Sequence, residues 1–139
     1  MSLDKAVGFE ALGIEKGGEV TAAADPLVAR ALALLAGNLS RPWGVAQMAA
    51  ELGVTPLRLA RHFQAELGRT PGAEILRQRL IVARNLLRDT DLPLDRIAAK
   101  CGFCHASYLV SRFRRDTGLT PRAWRKAHAA KEERIAALS

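Results

Sequence analysis

Two stretches of the chain carry the same sequence pattern about fifty residues apart. Residues 48–53 read Met-Ala-Ala-Glu-Leu-Gly, and residues 97–102 read Ile-Ala-Ala-Lys-Cys-Gly at an offset of 49. Five later residues of the first copy recur at an offset of 50, so the second copy holds one inserted residue; they are Leu59, Phe63, Gly68, Thr70 and Pro71. Such a repeat restricts a chain of 139 residues to a fold built from two copies of one unit.

Each copy has the pattern of two short helices joined by a tight turn. Apolar residues from Val45 to Leu52 lie at helical spacing, and Gly53 follows them. Thr55 and Pro56 then supply an N-cap and a first helical residue for the second helix. This order is the helix-turn-helix pattern, in which the second helix enters the major groove of DNA.

Similar start and stop signals along the whole chain predict an all-α fold of about seven helices. Val, Ile and Thr are sparse beside Leu, Ala and Arg, and no segment alternates like a half-buried strand. The two units are predicted at about 45–67 and 94–118, joined by a long central helix at about 72–88. That helix is apolar on two sides, which is typical of a helix packed between two bodies. Residues 1–24 are predicted to be a flexible linker or tail.

The charge of the chain indicates a polyanionic partner. The whole chain has a net charge of +7, but residues 26–139 hold 19 Lys and Arg and nine Asp and Glu, a net charge of +10. Nucleic acid is the commonest polyanion, and the planar fork of Arg suits both phosphate and guanine. Charge alone leaves an anionic membrane surface open. Together with the repeated pattern, it predicts a DNA-binding domain over 25–139.

Four motifs are typical of one known family of proteins; they are residues 52–56, 79–94, 97–103 and, most specific of all, 113–125. With these motifs, residues 25 to about 128 resemble the DNA-binding region of the AraC/XylS-type transcription regulators. The residues Asp25-Pro26-Leu27-Val28 and Val110-Ser111 are most similar to the xylose-regulator branch. The resemblance implies two helix-turn-helix units that read adjacent major grooves of double-stranded DNA, and it makes RNA polymerase a candidate partner.

The resemblance also bears on what surrounds the domain. Family members usually carry an effector-binding or dimerisation domain, and this chain has no room for one, so we expect a fragment of a longer regulator. Its dimerisation stays open. The N-terminus lacks the apolar core of a signal peptide, and the longest apolar stretch, residues 31–36, is too short to cross a bilayer. The expected location is the bacterial cytoplasm, at the nucleoid, with no membrane partner.

Helical geometry selects the side chains predicted to read bases. In the first unit Leu59 and Phe63 point inward, so the predicted readers are Leu57, Arg58, Arg61 and Gln64. In the second unit they are His105, Ser107, Ser111 and Arg114. Arg61 can clamp the O6 and N7 of a guanine, whereas Leu57 can touch only a thymine methyl or a sugar. Many family members have Arg at the position of Ser111, so the second half-site is expected to be read through water or with less discrimination.

A second set of residues is predicted to hold the phosphate backbone. Thr70 and Thr120 are expected to cap helices, and the neighbouring amides at a helix N-terminus bind anions. Basic side chains near the second recognition helix complete the set; they are Arg115, Arg122 and Arg125. The alternative for this cluster is a solvated charged face.

No enzymatic, metal or cofactor site is predicted. Cys101 stands where the first copy has the apolar Leu52, so it is expected in the core, and Cys104 matches an N-cap region. Zinc needs four ligands, and no second Cys/His pair stands at a suitable spacing from His105. Neither a Ser/His/Asp set nor a Gly-rich phosphate loop is visible. The predicted function is sequence-specific DNA binding in transcription, and the alternatives are nonspecific nucleic-acid binding and a helical protein-interaction module with a basic face.

Overall fold

The computed structural model describes the backbone of residues 25–138 and the side chains of residues 25–129, so the predicted linker 1–24 lies outside the described residues. This part of the chain forms seven α-helices, which confirms the all-α prediction: α1 (Pro26–Ala36), α2 (Val45–Leu52), α3 (Pro56–Leu67), α4 (Pro71–Asp89), α5 (Leu94–Lys100), α6 (Ala106–Thr117) and α7 (Pro121–Leu138). Among the described residues, no helix has both the length and the apolar composition that crossing a membrane requires.

Side-chain caps start several helices where the sequence predicts them. The Oδ1 of Asp25 accepts hydrogen bonds from the amides of Leu27 and Val28. The hydroxyl of Thr55 accepts one from the amide of Arg58, three residues ahead. Each cap satisfies an amide that has no partner within its own helix, and each is followed by a proline in the first helical position.

The first unit contains α1, α2 and α3. After α1 it is interrupted at residues 39–42 and continues over residues 43–74. Its core is formed by buried side chains from all three helices together with Trp43, whose indole N–H donates to the carboxylate of Glu51 at 3.1 Å. Glu74 is also buried, and it pairs with Arg69 at 2.8 Å. The packed helices hold the outer face of α3 in a fixed place.

The second unit contains residues 39–42 and the chain from residue 75 onward. Its core includes Leu80, Leu87, Ile97, Cys101, Phe103, Leu109, Phe113 and Trp124. On α4, Leu76, Val82 and Leu86 are half-buried against this same cluster. Trp124 lies edge-on to Phe113 and stacks on His128, with ring centroids 5.9 and 3.6 Å apart.

The glycines in the two helix-turn-helix turns share a backbone conformation but not an environment. Gly53 and Gly102 both have left-handed φ values, +72° and +84°. A Cβ at Gly53 would meet nothing within 4 Å, whereas a Cβ at Gly102 would collide with the carbonyl oxygen of Leu39 and approach Arg79 Nε to 2.8 Å. Arg79 in turn donates to the carbonyls of Leu39 at 3.2 Å and Arg41 at 2.9 Å. The turn of the second unit is therefore close-packed, and that of the first is open.

Candidate nucleic-acid interface

Helix α3 presents an exposed face, polar except for Leu57, opposite its buried one. Leu59 and Phe63 are fully buried, and they fix which way the helix is turned. All four side chains predicted to read bases from this helix are exposed; they are Leu57, Arg58, Arg61 and Gln64. Leu57 is 61% exposed, the largest value among the exposed large apolar side chains. The structure thus brings the predicted residues together on one solvent-facing surface of α3.

A polar contact ties α3 to the start of α1. The Nδ1 of His62 lies 2.6 Å from the Oδ2 of Asp25, the residue that caps α1. The hydrogen bond with His62 holds the pKa of the Asp25 carboxyl below its usual value, and the amides of Leu27 and Val28 act in the same direction. His62 directly follows Arg61 in the chain, so this contact helps to fix the part of α3 that carries the guanidinium.

Helix α6 repeats this arrangement in the second unit. Leu109 and Phe113 are fully buried, and the predicted readers are again exposed; they are His105, Ser107, Ser111 and Arg114. The N-cap residue is His105, whose side chain makes no capping hydrogen bond, and Cys104 directly precedes it in the N-cap region. Near its other end, α6 is joined to α4 by an ion pair of Arg84 with Asp116 at 3.1 Å.

Tyr108 belongs to the same surface, although it is absent from the predicted set. It lies in the first turn of α6 between Ser107 and Leu109, and it is 50% exposed. The predicted base-reading residues were chosen on the side of the helix opposite Leu109, and Tyr108 was therefore not among them. The repeat carries a signal that finds Tyr108, because an offset of 50 aligns it with Arg58, a predicted reader in the first unit.

The residues predicted to hold phosphates divide into two groups. The hydroxyls of Thr70 and Thr120 cap α4 and α7 by accepting from the amides of Ala73 and Ala123, each at 3.1 Å. Arg115 and Arg122 are exposed to solvent. Contact of these four residues with phosphate stays a prediction.

Arg125 makes hydrogen bonds that the sequence did not predict. Its Nε donates to the carbonyl of Leu87 at 3.0 Å, and its Nη2 donates to the carbonyls of Thr90 and Leu92 at 3.0 and 2.8 Å. The guanidinium therefore joins α7 to the end of α4 and to the loop before α5. Sequence reasoning missed this contact because its partners are more than thirty residues away in the chain and are backbone atoms.

The two cysteines differ in their surroundings. Cys101 is fully buried in the core of the second unit, as predicted, and burial raises the pKa of its thiol to about 11. Cys104 is exposed. Within the described part of the chain, no group of three or more His, Cys, Asp or Glu side chains is placed to hold a metal ion.

Comparison with known proteins matches this architecture to one family. A model of the helix-turn-helix domain matches residues 48–127. The structure of a transcriptional regulator from Chromobacterium violaceum with an AraC-type DNA-binding domain is 32% identical, with a TM-score of 0.68 over 75% of this chain and 93% of that chain. The chain belongs to the AraC-type family of helix-turn-helix DNA-binding domains. This is a family of transcription regulators and not of enzymes.

Other AraC-type proteins are similar over the same region. The DNA-binding domain of AdpA, solved in complex with a target DNA, is 31% identical, with a TM-score of 0.72 over 78% of this chain and 96% of that chain. The transcriptional activator RhaR of Cronobacter sakazakii is 31% identical over 99 residues, which are 71% of this chain and 35% of RhaR. The chain spans about a third of the length of the curated relatives it matches.

Proposed function

We propose that this AraC-type domain reads two adjacent major-groove half-sites, one with α3 and the other with α6. The observation that carries the proposal is the repeated burial pattern of the two helices. In each, a leucine and a phenylalanine four residues later are fully buried, and the opposite face is exposed and polar. A recognition helix needs this arrangement, because one face must anchor it while the other reaches the base edges.

In the first half-site, the side chains of α3 suit a mixed base sequence. The guanidinium of Arg61 is proposed to donate to the O6 and N7 of a guanine. The amide of Gln64, one turn later on the same face, suits the N6 and N7 of an adenine. Leu57 has no polar group, so its exposed side chain is assigned to a thymine methyl or a sugar. Arg58 lies on the flank of this face and completes the contacts.

For the second half-site, α6 carries Ser107 and Ser111 at the positions of Leu57 and Arg61 in α3, so its side chains there are shorter. Ser107 and Ser111 are proposed to reach base edges directly or through a bridging water, and His105 lies beside them at the N-cap. Arg114 is the one long donor of this set. Because α3 and α6 carry different groups at equivalent positions, the two half-sites are expected to differ and the binding site of one chain to be asymmetric.

The backbone contacts are assigned to the helix starts and to exposed arginines. The backbone donors proposed to hold phosphates are the amides of Gly72 and Arg122, since the N-terminal end of a helix is electropositive. Pro71 and Pro121 have no N–H, and the amides of Ala73 and Ala123 already donate to the threonine hydroxyls. Arg115 and Arg122 are proposed to add charged contacts. Arg125 is left out, because its guanidinium is already bound by three carbonyl oxygens.

The experiment that tests this function is the selection of bound sites from a pool of random duplexes. The expected product is an asymmetric site with two conserved segments about 10 bp apart, the interval at which major-groove segments on one face of B-DNA recur. Competition then compares the selected duplex with a random one. A preference near one would favour a nonspecific nucleic-acid binder. Absence of salt-dependent binding to any duplex would favour a protein-interaction module with a basic face.

Three finer statements belong to the same proposal. We propose that the domain acts within a longer regulator, in the cytoplasm at the nucleoid, and that RNA polymerase is its protein partner once it is on DNA. We also propose membership of the xylose-regulator branch, which rests on Asp25-Pro26-Leu27-Val28 and Val110-Ser111. A selected site that resembles no operator of that branch would remove this last assignment and leave the family unchanged.

A further inference from the structure

Tyr108 offers DNA a group that the other outward residues of α6 lack. It is 50% exposed. No hydrogen bond between the described residues involves its phenolic hydroxyl. The hydroxyl can donate and accept, while the ring is a broad apolar surface. A half-exposed tyrosine in the first turn of a recognition helix is therefore available to a ligand from solution.

The ring of Tyr108 packs against Phe103, a residue of the core of the second unit. It meets the ring of Phe103 edge-on, with centroids 5.6 Å apart and an interplanar angle of 68°. Phe103 is only 5% exposed and belongs to the core of the second unit. Since the contact restricts the side-chain rotamers of Tyr108 before binding, ordering this ring on a ligand costs little conformational entropy.

The position of Tyr108 around the helix indicates which part of DNA it meets. At 100° per residue, Ser107 and Ser111 lie near the middle of the face opposite Leu109 and Phe113, and Tyr108 lies on its flank. Seven residues later, Arg115 lies on the same flank. When a helix lies in the major groove, its outward face meets base edges and its flanks meet the sugar-phosphate walls.

In the first unit, the position equivalent to Tyr108 is occupied by Arg58. At this position one recognition helix thus carries a permanent positive charge, and the other carries a neutral phenol. Tyrosine hydroxyls are among the groups that hydrogen-bond DNA phosphates. A neutral donor adds to affinity without neutralising a phosphate charge, so it leaves the salt dependence of binding unchanged.

We propose that Tyr108 is a neutral contact to the DNA backbone at the second half-site, with its hydroxyl donating to a phosphate oxygen. The proposal rests on the proposed function, because it requires α6 to lie in the major groove. Loss of this contact to the DNA backbone can be distinguished from loss of a charged contact, because only the charged contact changes the salt dependence of binding.

The test measures Kd for the full 139-residue chain on the selected duplex and on a random duplex of equal length, across a series of salt concentrations. Tyr108→Phe keeps the ring and removes the hydroxyl. We expect it to bind both duplexes about three- to tenfold more weakly, with the wild-type salt slope. Arg115→Ala is the matched control on the same flank; it should also weaken both, with a salt slope shallower by about one.

Two results would overturn the inference while leaving the proposed function intact. One is wild-type affinity of Tyr108→Phe for both duplexes, and the other is a loss confined to the selected duplex, which would make Tyr108 a base reader. If the wild-type chain shows no salt-dependent binding to any duplex, the proposed function and the inference both fail.

A second measurement keeps the test decisive if Tyr108→Phe lowers the unfolding temperature. Ethylation of single phosphates in the selected duplex should identify one position in the second half-site that hinders the wild-type chain and leaves Tyr108→Phe unaffected. An ethylation pattern identical for the two proteins would overturn the inference.

Discussion

Arg61 of α3 and Ser111 of α6 occupy the same position in the two copies, each two residues after a fully buried leucine and two residues before a fully buried phenylalanine. Both are exposed. The core that anchors the helices is thus repeated, whereas the side chain exposed at this position is not. A long cation with five N–H donors faces outward from one helix and a short hydroxyl from the other, so the two half-sites should be read by different chemistry.

Replacing Arg61 by Ala should weaken binding to the selected duplex by about 1–3 kcal/mol and relax the preference at one or two base pairs. The reason is the loss of two hydrogen bonds to one guanine. Ser111→Ala is the matched variant, and its smaller group should cost less. Affinities for the selected and the random duplex measure both effects. An equal loss on the two duplexes for Arg61→Ala would make Arg61 a phosphate contact.

The two turn glycines should differ in their tolerance of a methyl group. Gly53→Ala places a side chain in the left-handed region with no neighbour within 4 Å, and it should lower the free energy of unfolding by about 1–2 kcal/mol. Gly102→Ala adds a collision with the carbonyl of Leu39, so its loss should be larger. Urea unfolding of the two variants measures the difference. Equal losses would show that Leu39 and Arg79 do not pack against the second turn as described.

Removing the guanidinium of Arg125 should affect stability more than the charge dependence of DNA binding. Arg125→Ala leaves three carbonyl oxygens without this donor, and we expect the free energy of unfolding to fall by about 2–4 kcal/mol. Arg122→Ala, on the same helix and exposed, is the control; its stability should change by less than about 0.5 kcal/mol, and its salt slope should become shallower by about one. Unchanged stability with a reduced salt slope for Arg125→Ala would restore its predicted phosphate role.

The contact of Asp25 with His62 should give the domain a component of stability that is lost in acid. Because the folded-state pKa of Asp25 is lowered, this component is present above the usual pKa of an aspartate and disappears as the pH falls through the lowered value. Asp25→Asn keeps a capping side chain, so the wild type should be more stable than this variant near neutral pH, and the difference should close in acid.

Thermal unfolding of the wild type, Asp25→Asn and Asp91→Asn over a range of pH measures this component. Asp91 is exposed in the loop before α5 and should show no such difference. A difference for Asp25→Asn that does not depend on pH would mean that the variant acts through the α1 cap and not through the carboxylate charge.

The sequence alone predicted the features that depend on residues close together in the chain. The central helix was predicted at about 72–88 and spans Pro71–Asp89, since Thr70 and the proline after it act locally. The inward positions of Leu109 and Phe113 were also predictable, because helical periodicity alone sets them. These two kinds of signal were enough to define the fold class and the outward faces of α3 and α6.

Contacts between distant parts of the chain were not predictable in the same way. The carbonyls bound by Arg125 and the carboxylate beside His62 have no signature near those residues in the sequence. The surroundings of Gly102 also depend on a loop more than sixty residues earlier, although its sequence motif matches that of Gly53. Tyr108 was missed for a different reason, since its position on the flank of α6 could be read from the repeat.

Footprinting on spaced half-sites tests the two-helix mechanism most directly. The full chain is bound to the selected duplex and to duplexes with 5 bp or 10 bp inserted between the two segments. Insertion of about 5 bp, half a helical turn, moves one half-site to the opposite face of DNA, so protection of both segments by one chain should be lost and affinity should fall. An insertion of 10 bp should restore the face but not the reach. Undiminished affinity after the 5 bp insertion would contradict the mechanism, because it would show that only one recognition helix engages DNA.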